Sequence, residues 1–199
     1  FKAVHVITKN RDEIIKMSDS KYVQSDIGDC YIEIEKLLCS DKYVLFSGTS
    51  CQVAGLYAYL SKKSIKQDKL FTIDFFCHGV PSPKLWQEYI RFYEKITNRK
   101  IEQFRFRNKK FFWGEKSRGA HAKGTVFYRK QKGQIKEDFG TLKSNLWYDF
   151  FWSNYILRKC CYNCQYATIN KPADITMGDF WGIDTILPEF YDNMGCSVA

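Results

Sequence analysis

Apolar residues form two short runs in the first half of the chain, each followed by turn residues and then by apolar positions at helical spacing. Residues 42–46 read as a buried strand, and Gly48-Thr49 turns the chain into a helix over 51–60 with Val53, Leu56, Tyr57 and Leu60 on one face. The unit repeats as an apolar strand over 70–76, a loop over 77–82, and a helix running to about residue 96 with Pro83 in its first turn. Strand, turn and helix twice in succession predict parallel strands with crossover helices, hence an α/β fold with a parallel or mixed central sheet and flanking helices. Both intervening loops leave the C-terminal ends of strands, where open α/β sheets place their ligands.

The flanking pattern is less regular. Tyr22, Val23, Gln24 and Ser25 make a short extended piece, and residues 27–38 carry Ile and Leu at helix intervals. Phe104-Arg105-Phe106-Arg107 alternates like a strand, and residues 125–129 and 134–136 flank Lys132-Gly133 like a hairpin, so this stretch is expected to be a basic β-rich lobe. Residues 142–157 read as an aromatic-rich helix bearing Leu146, Trp147, Phe150, Phe151, Tyr155 and Ile156, which delivers the chain to Cys161-Tyr162-Asn163-Cys164 in a Cys-rich C-terminal segment. The expected division is 1–98 for the α/β core with two cysteine loops, 99–140 for the basic lobe, and 141–199 for the aromatic helix and C-x-x-C segment.

Charge sharpens this division. The net charge is +9, yet the stretch 99–136 holds thirteen Lys or Arg against two Glu, a surplus of +11 that leaves the rest of the chain near −2. Such a patch fits an acidic protein partner, the phosphates of a cofactor, or nucleic acid, for which Arg105, Arg107, Lys109 and Lys110 beside Phe111, Phe112 and Trp113 would form a base-stacking groove. No run approaches the roughly 20 apolar residues of a membrane span, and no signal peptide is visible. The chain starts at Phe1 and stops within Gly195-Cys196-Ser197-Val198-Ala199, which predicts a fragment. With ordinary helix and strand patterning it has no need of disulfide staples, so its eight cysteines are expected to be reduced and the protein cytoplasmic.

Four of those cysteines sit where a thiolate would be presented: Cys51 after Gly48-Thr49-Ser50, Cys77 in Cys77-His78-Gly79, and Cys161 with Cys164. A C-x-x-C pair brings two sulfurs to one centre from a single turn, and two more from distant loops complete a set for an iron–sulfur cluster or for zinc. Cys51 falls in the first turn of its helix, where unpaired N–H groups favour a thiolate, and the same turn could hold an anion. Adjacent side chains on a strand point apart, which disfavours Cys77 and His78 as a nucleophile and base and leaves His78 as a hydrogen-bonding neighbour of a metal site. Cys30, Cys39, Cys160 and Cys196 lack comparable settings.

Four ordered motifs carry a resemblance: Lys21-Tyr22-Val23-Gln24-Ser25; Val44 to Leu56 through Gly48-Thr49-Ser50-Cys51-Gln52; Cys77-His78-Gly79-Val80-Pro81-Ser82; and Cys161 to Cys164 with Asp174-Ile175-Thr176-Met177-Gly178-Asp179-Phe180-Trp181-Gly182. Together they cover most of the chain and resemble the coenzyme F-420 hydrogenase/dehydrogenase beta-subunit family. The resemblance implies a flavoprotein with a 4Fe-4S cluster that passes electrons between the cluster, FAD and a deazaflavin or another acceptor, with coenzyme F-420 as a possible substrate. It implies Cys51, Cys77, Cys161 and Cys164 as cluster ligands, and Lys21, Gln24, Ser25, Gly48, Thr49 and Ser50 on the flavin side. Ser50 stands where the family usually has proline. The expected partner is a ferredoxin or a hydrogenase or dehydrogenase subunit. The competing reading is a zinc-stabilised binding module whose basic lobe holds nucleic acid.

Overall fold

In the computed structural model, residues 1–108, 124–129, 134–139 and 141–199 are described. The helices are α1 (Arg11–Met17), α2 (Cys30–Cys39), α3 (Ser50–Lys62), α4 (Pro83–Thr97), α5 (Leu142–Trp152), α6 (Lys159–Tyr162) and α7 (Ile183–Ile186). The strands are β1 (Val44–Ser47), β2 (Leu70–Phe75), β3 (Ile101–Arg105), β4 (Thr125–Arg129), β5 (Ile135–Phe139), β6 (Ile175–Asp179) and β7 (Ser197–Val198). They form two sheets, β1-β2-β6-β7 and β3-β4-β5.

The first sheet is mixed. β1, β2 and β6 run parallel, with Leu45 beside Phe71 and Ile73 beside Ile175, while β7 closes the edge antiparallel to β6. The two expected parallel strands are therefore neighbours, and the α/β fold class holds. The stretch 175–179, legible only as a motif, supplies the third parallel strand. Alternation decides what each strand buries: Phe46, Leu70, Thr72 and Asp74 face helices α2 and α3, where Phe46 and Leu70 join Ile34, Val53, Leu56 and Leu60 in one core.

Helix α4 does not lie on this sheet. Trp86, Tyr89, Ile90 and Tyr93, spaced three and four apart, pack with Ile101, Phe106, Val126, Trp147 and Tyr148 into a second core over the antiparallel sheet. Helix α4 thus packs with the core of the antiparallel sheet, and β6 joins the first sheet. Ser82 caps α4 by accepting from the Leu85 N–H at 3.2 Å, with Pro83 in the first turn as expected.

Two readings of the pattern need correction. The aromatic helix stops at Trp152 rather than 157, because Asn154 takes a left-handed backbone (φ 63°) while the Asn154 and Tyr155 N–H groups bond back to Phe151 and Phe150 carbonyls. The helix expected from 27 begins at Cys30, since Gly28 turns with φ 53° and its N–H bonds to the Asp26 carboxylate. Helix α1 carried no recognised signal. The paired strands β4 and β5 match the expected hairpin, whose Lys132-Gly133 turn lies outside the described residues.

Strand β6 is latched to β2 by a side-chain cluster. The Asp174 carboxylate accepts from the Thr72 N–H at 2.7 Å and the Thr72 hydroxyl at 2.8 Å, and that hydroxyl in turn accepts from the Asp174 N–H at 3.0 Å. The Thr72 contacts hold the Asp174 carboxyl below its ordinary 3.8. A buried hydroxyl so fully used makes Thr72→Val a clean probe: about 1–3 kcal/mol of stability should disappear in urea unfolding at neutral pH. A lowered carboxyl pKa adds stability above the unfolded value that is lost as pH falls through the folded one. The deficit of the variant should therefore narrow below about pH 4.

Candidate cofactor site

Three loops that are distant in sequence meet beside the C-terminal ends of β1 and β2. The first begins where β1 ends. The Gly48 N–H bonds to the Ile73 carbonyl at 3.1 Å, Thr49 caps α3, and Cys51 lies in the first turn with its sulfur 3.1 Å from the Thr49 hydroxyl. Gln52 ties this turn to the extended piece: its side-chain oxygen accepts from the Thr49 N–H and its amide donates to the Ser25 hydroxyl, each at 3.0 Å. Gln52 is thus a positioning residue, a role its place in the motif does not reveal.

The second loop, 77–82, is held almost wholly through its backbone. The Gln24 N–H bonds to the Pro81 carbonyl and the Arg158 N–H to the Val80 carbonyl, both at 3.0 Å, and Pro81 bridges to Leu157. Gly79 has φ 122°, and a Cβ there would stand 2.8 Å from the Leu157 side chain and 3.2 Å from the Cys161 Cβ. That closeness sets the third loop, α6 with Cys161 and then Cys164, directly against the Cys77 loop. His78 lies between Phe151 (4.9 Å) and Trp152 (5.1 Å), where α5 ends.

The Cys77 thiol lies within electrostatic reach of the other three. Burial pushes the Cys77 thiol up, a Gly79 N–H opposes this, and repulsion from Cys51, Cys161 and Cys164 raises it further. Burial likewise raises Cys161, with Cys160 and Cys164 adding to it. Cys51 and Cys77 are exposed and Cys161 and Cys164 half-buried, so all four can be reached from outside. Among the described residues no group of three or more His, Cys, Asp or Glu side chains is drawn together as for a single metal ion.

The flavin-side residues divide. Ser25 and the Gly48-Thr49-Ser50 turn are joined through Gln52, and Gln24 through its backbone to the cysteine loop. The Gln24 side-chain oxygen and the Ser50 hydroxyl are buried without a partner among the described residues. Lys21 lies elsewhere: its ammonium donates to the carbonyls of Met17, Ser18 and Asp19 at 2.8–3.1 Å and lines a separate cavity of about 510 Å³ with Lys2, Trp86 and Phe104. Burial lowers its pKa.

Two acids escaped the sequence pattern. Asp74, fully buried on β2 three residues before Cys77, accepts from the Thr176 hydroxyl at 2.5 Å through one oxygen and leaves the other without a partner among the described residues. A lone charged residue in the Leu70–Phe75 strand is the signal that marks it. Asp179 pairs with Arg107 at 2.6 Å, so Arg107 is not a free cation of the basic lobe. Lys109, Lys110, Phe111, Phe112 and Trp113 lie outside the described residues.

Gly79 is the tightest point of the site. Gly79→Ala should cost about 1–3 kcal/mol through its left-handed backbone and should also push α6 away. Urea unfolding measures the first effect, and faster alkylation of Cys161 in the folded protein measures the second.

Comparison with curated proteins returns no match. Among solved structures, a chain of the F420-reducing [NiFe] hydrogenase complex from Methanosarcina barkeri, studied by xenon derivatization, aligns at 16% identity with a TM-score of 0.48, covering 88% of this chain and 52% of that one. The present chain thus spans about half the length of that chain. Residues 41–198 match the family model that describes the C terminus of the coenzyme F420 hydrogenase/dehydrogenase beta subunit. With most of its length matched, and with all four cysteine positions inside that span, the chain belongs to the coenzyme F420 hydrogenase/dehydrogenase beta-subunit family.

Proposed function

We propose that this chain is an iron–sulfur flavoprotein module of an oxidoreductase, with Cys51, Cys77, Cys161 and Cys164 holding a 4Fe-4S cluster and FAD bound beside it. The observation that carries this reading is the close packing of the Cys77 loop against α6 at Gly79, at the end of the sheet where the turn into α3 also begins. Zinc bonded to sulfur at about 2.3 Å needs its four sulfurs nearly touching, whereas a cluster spreads them over several irons. Membership of the family favours the cluster over the zinc-stabilised, nucleic-acid-binding alternative. When bound, a cluster supplies one-electron steps and a flavin couples them to two-electron chemistry.

The chain's own residues have definable parts in this scheme. Cys51 stands in the first turn of α3, and the Gly79 N–H opposes the burial that raises the Cys77 thiol. The unpartnered Gln24 oxygen and Ser50 hydroxyl fit a flavin, which offers both donors and acceptors, and the Gly48-Thr49 turn fits its phosphates. His78, wedged against Phe151 and Trp152, orients the loop rather than moving a proton. Lys21 shapes the end of α1. The donor and acceptor are a ferredoxin-type protein, a hydrogenase or dehydrogenase subunit, or coenzyme F-420, with the basic lobe receiving the acidic partner.

Anaerobic purification with iron and sulfide analysis tests the reading. About four irons and four sulfides per chain are expected, with Cys164→Ser abolishing the reduced cluster's paramagnetic signal. Stoichiometric zinc without sulfide would replace this reading with the binding-module alternative. Titration with FAD should quench flavin fluorescence in the wild type, and a Gln24→Ala, Ser50→Ala pair should weaken binding ~10-fold while iron content stays unchanged.

A further inference from the structure

Among the described residues, packed helices cover one side of the first sheet. Helices α2 and α3 pack on the side of Phe46, Leu70 and Thr72, and α4, the element that would ordinarily return to the opposite side, is taken up by the second core. The opposite side carries Tyr43, Leu45, Phe71, Phe75, Ile175 and Met177, exposed by 73, 66, 54, 42, 48 and 40%. Register makes them one surface: Leu45 pairs with Phe71 and Phe75 with Met177, and the Tyr43 ring stacks on Phe71 at 6.4 Å. Parallel strands are ordinarily buried on both faces.

We propose that this face is a homodimer interface, in which two copies of the chain pack their bare sheets against each other. Area is the first argument. With about 200 Å² per large side chain, half-exposed, the six contribute about 600 Å² per copy, at the top of what a monomer leaves bare. Two copies together bury about 1,200 Å², enough for a specific interface. Charge is the second. The outward positions Leu45, Ser47, Phe71, Ile73, Phe75, Ile175 and Met177 carry none, and Asp179 at the end of β6 is paired with Arg107 at 2.6 Å, so the face offers nothing to the acidic partner suited to the lobe but is complementary to itself. Lys69, just before β2, is bound to Asp41 at 2.6 Å and rests over the Tyr43 ring. The +11 surplus lies in the lobe and leaves the remainder near −2, so little charge opposes two sheets meeting.

Sedimentation of the full chain at micromolar concentration, reduced and under argon so that thiols do not cross-link, decides the matter. The expected mass is twice 23.5 kDa. A Leu45→Lys, Phe71→Lys pair, on exposed positions, should raise the dissociation constant ~100-fold and give the single mass, with unchanged far-ultraviolet circular dichroism. The milder Tyr43→Gln, Leu45→Gln pair should act in the same direction, and Ile186→Lys, exposed on α7, should leave the dimer intact. A monomeric wild type overturns the proposal, as does a dimer that survives both pairs, or a monomer whose sheet face instead binds a different protein.

Discussion

The arrangement of the site rests on a close approach between two backbones, that of the loop after β2 and that of the segment leading into α6. The carbonyls of Val80 and Pro81 are taken up by N–H groups from Arg158 and Gln24, and Gly79 leaves no space for a side chain between them. Peptide geometry, rather than flexible side chains, therefore sets where Cys77 and Cys161 stand. A site built this way is preorganised, because moving either sulfur requires breaking hydrogen bonds that join three segments of the fold. The cost is electrostatic: thiols gathered by the backbone repel once ionised, which adds to the burial that pushes the Cys77 thiol up. A positively charged centre among them would reverse that sign.

A second constraint follows from the fate of α4. Its apolar stripe of Trp86, Tyr89, Ile90 and Tyr93 is strongly one-sided, and the matching partners are aromatic: Phe104 and Trp147 meet Trp86 edge-on with centroids 4.9 Å apart. Large rings pack best with other rings in such geometry, so α4 goes to the lobe core, where Phe106, Trp147 and Tyr148 already gather. The same choice brings α5 beside the cysteine loop, since Trp147 donates to the Tyr22 carbonyl at 3.2 Å and Tyr22 stacks on Phe151 at 4.9 Å. Aromatic packing in the lobe thus positions the rings that hold His78.

Local signals made much of this legible. Turn chemistry at Gly48-Thr49 and Ser82-Pro83 marked the starts of α3 and α4, and the strand-to-turn transitions placed Cys51 and Cys77 at strand ends, because those features depend on neighbours in sequence. What escaped depends on tertiary partners. Strand β6 reads as a mixed polar run until Thr72 and Asp174 are seen to latch it to β2. Asn154 ends α5 through a left-handed residue that helical periodicity over 142–157 does not reveal. Lys21 is legible only as part of a motif, and the fold adds that its ammonium donates to nearby carbonyls at the end of α1.

The Arg107–Asp179 pair connects these parts. Arg107 lies just beyond β3, on the lobe, and Asp179 ends β6, so a single 2.6 Å ion pair fastens the second core to the first sheet. Its arginine is largely shielded from solvent and also rests over the Trp181 ring at 5.9 Å. Partial burial makes such a pair sensitive to the loss of either partner, because the survivor is left desolvated and uncompensated. The basic lobe therefore cannot be treated as a detachable charged surface. Arg107 also works against the burial that raises the Tyr22 hydroxyl, so the charge that anchors the lobe reaches the aromatic layer behind the cysteine loop.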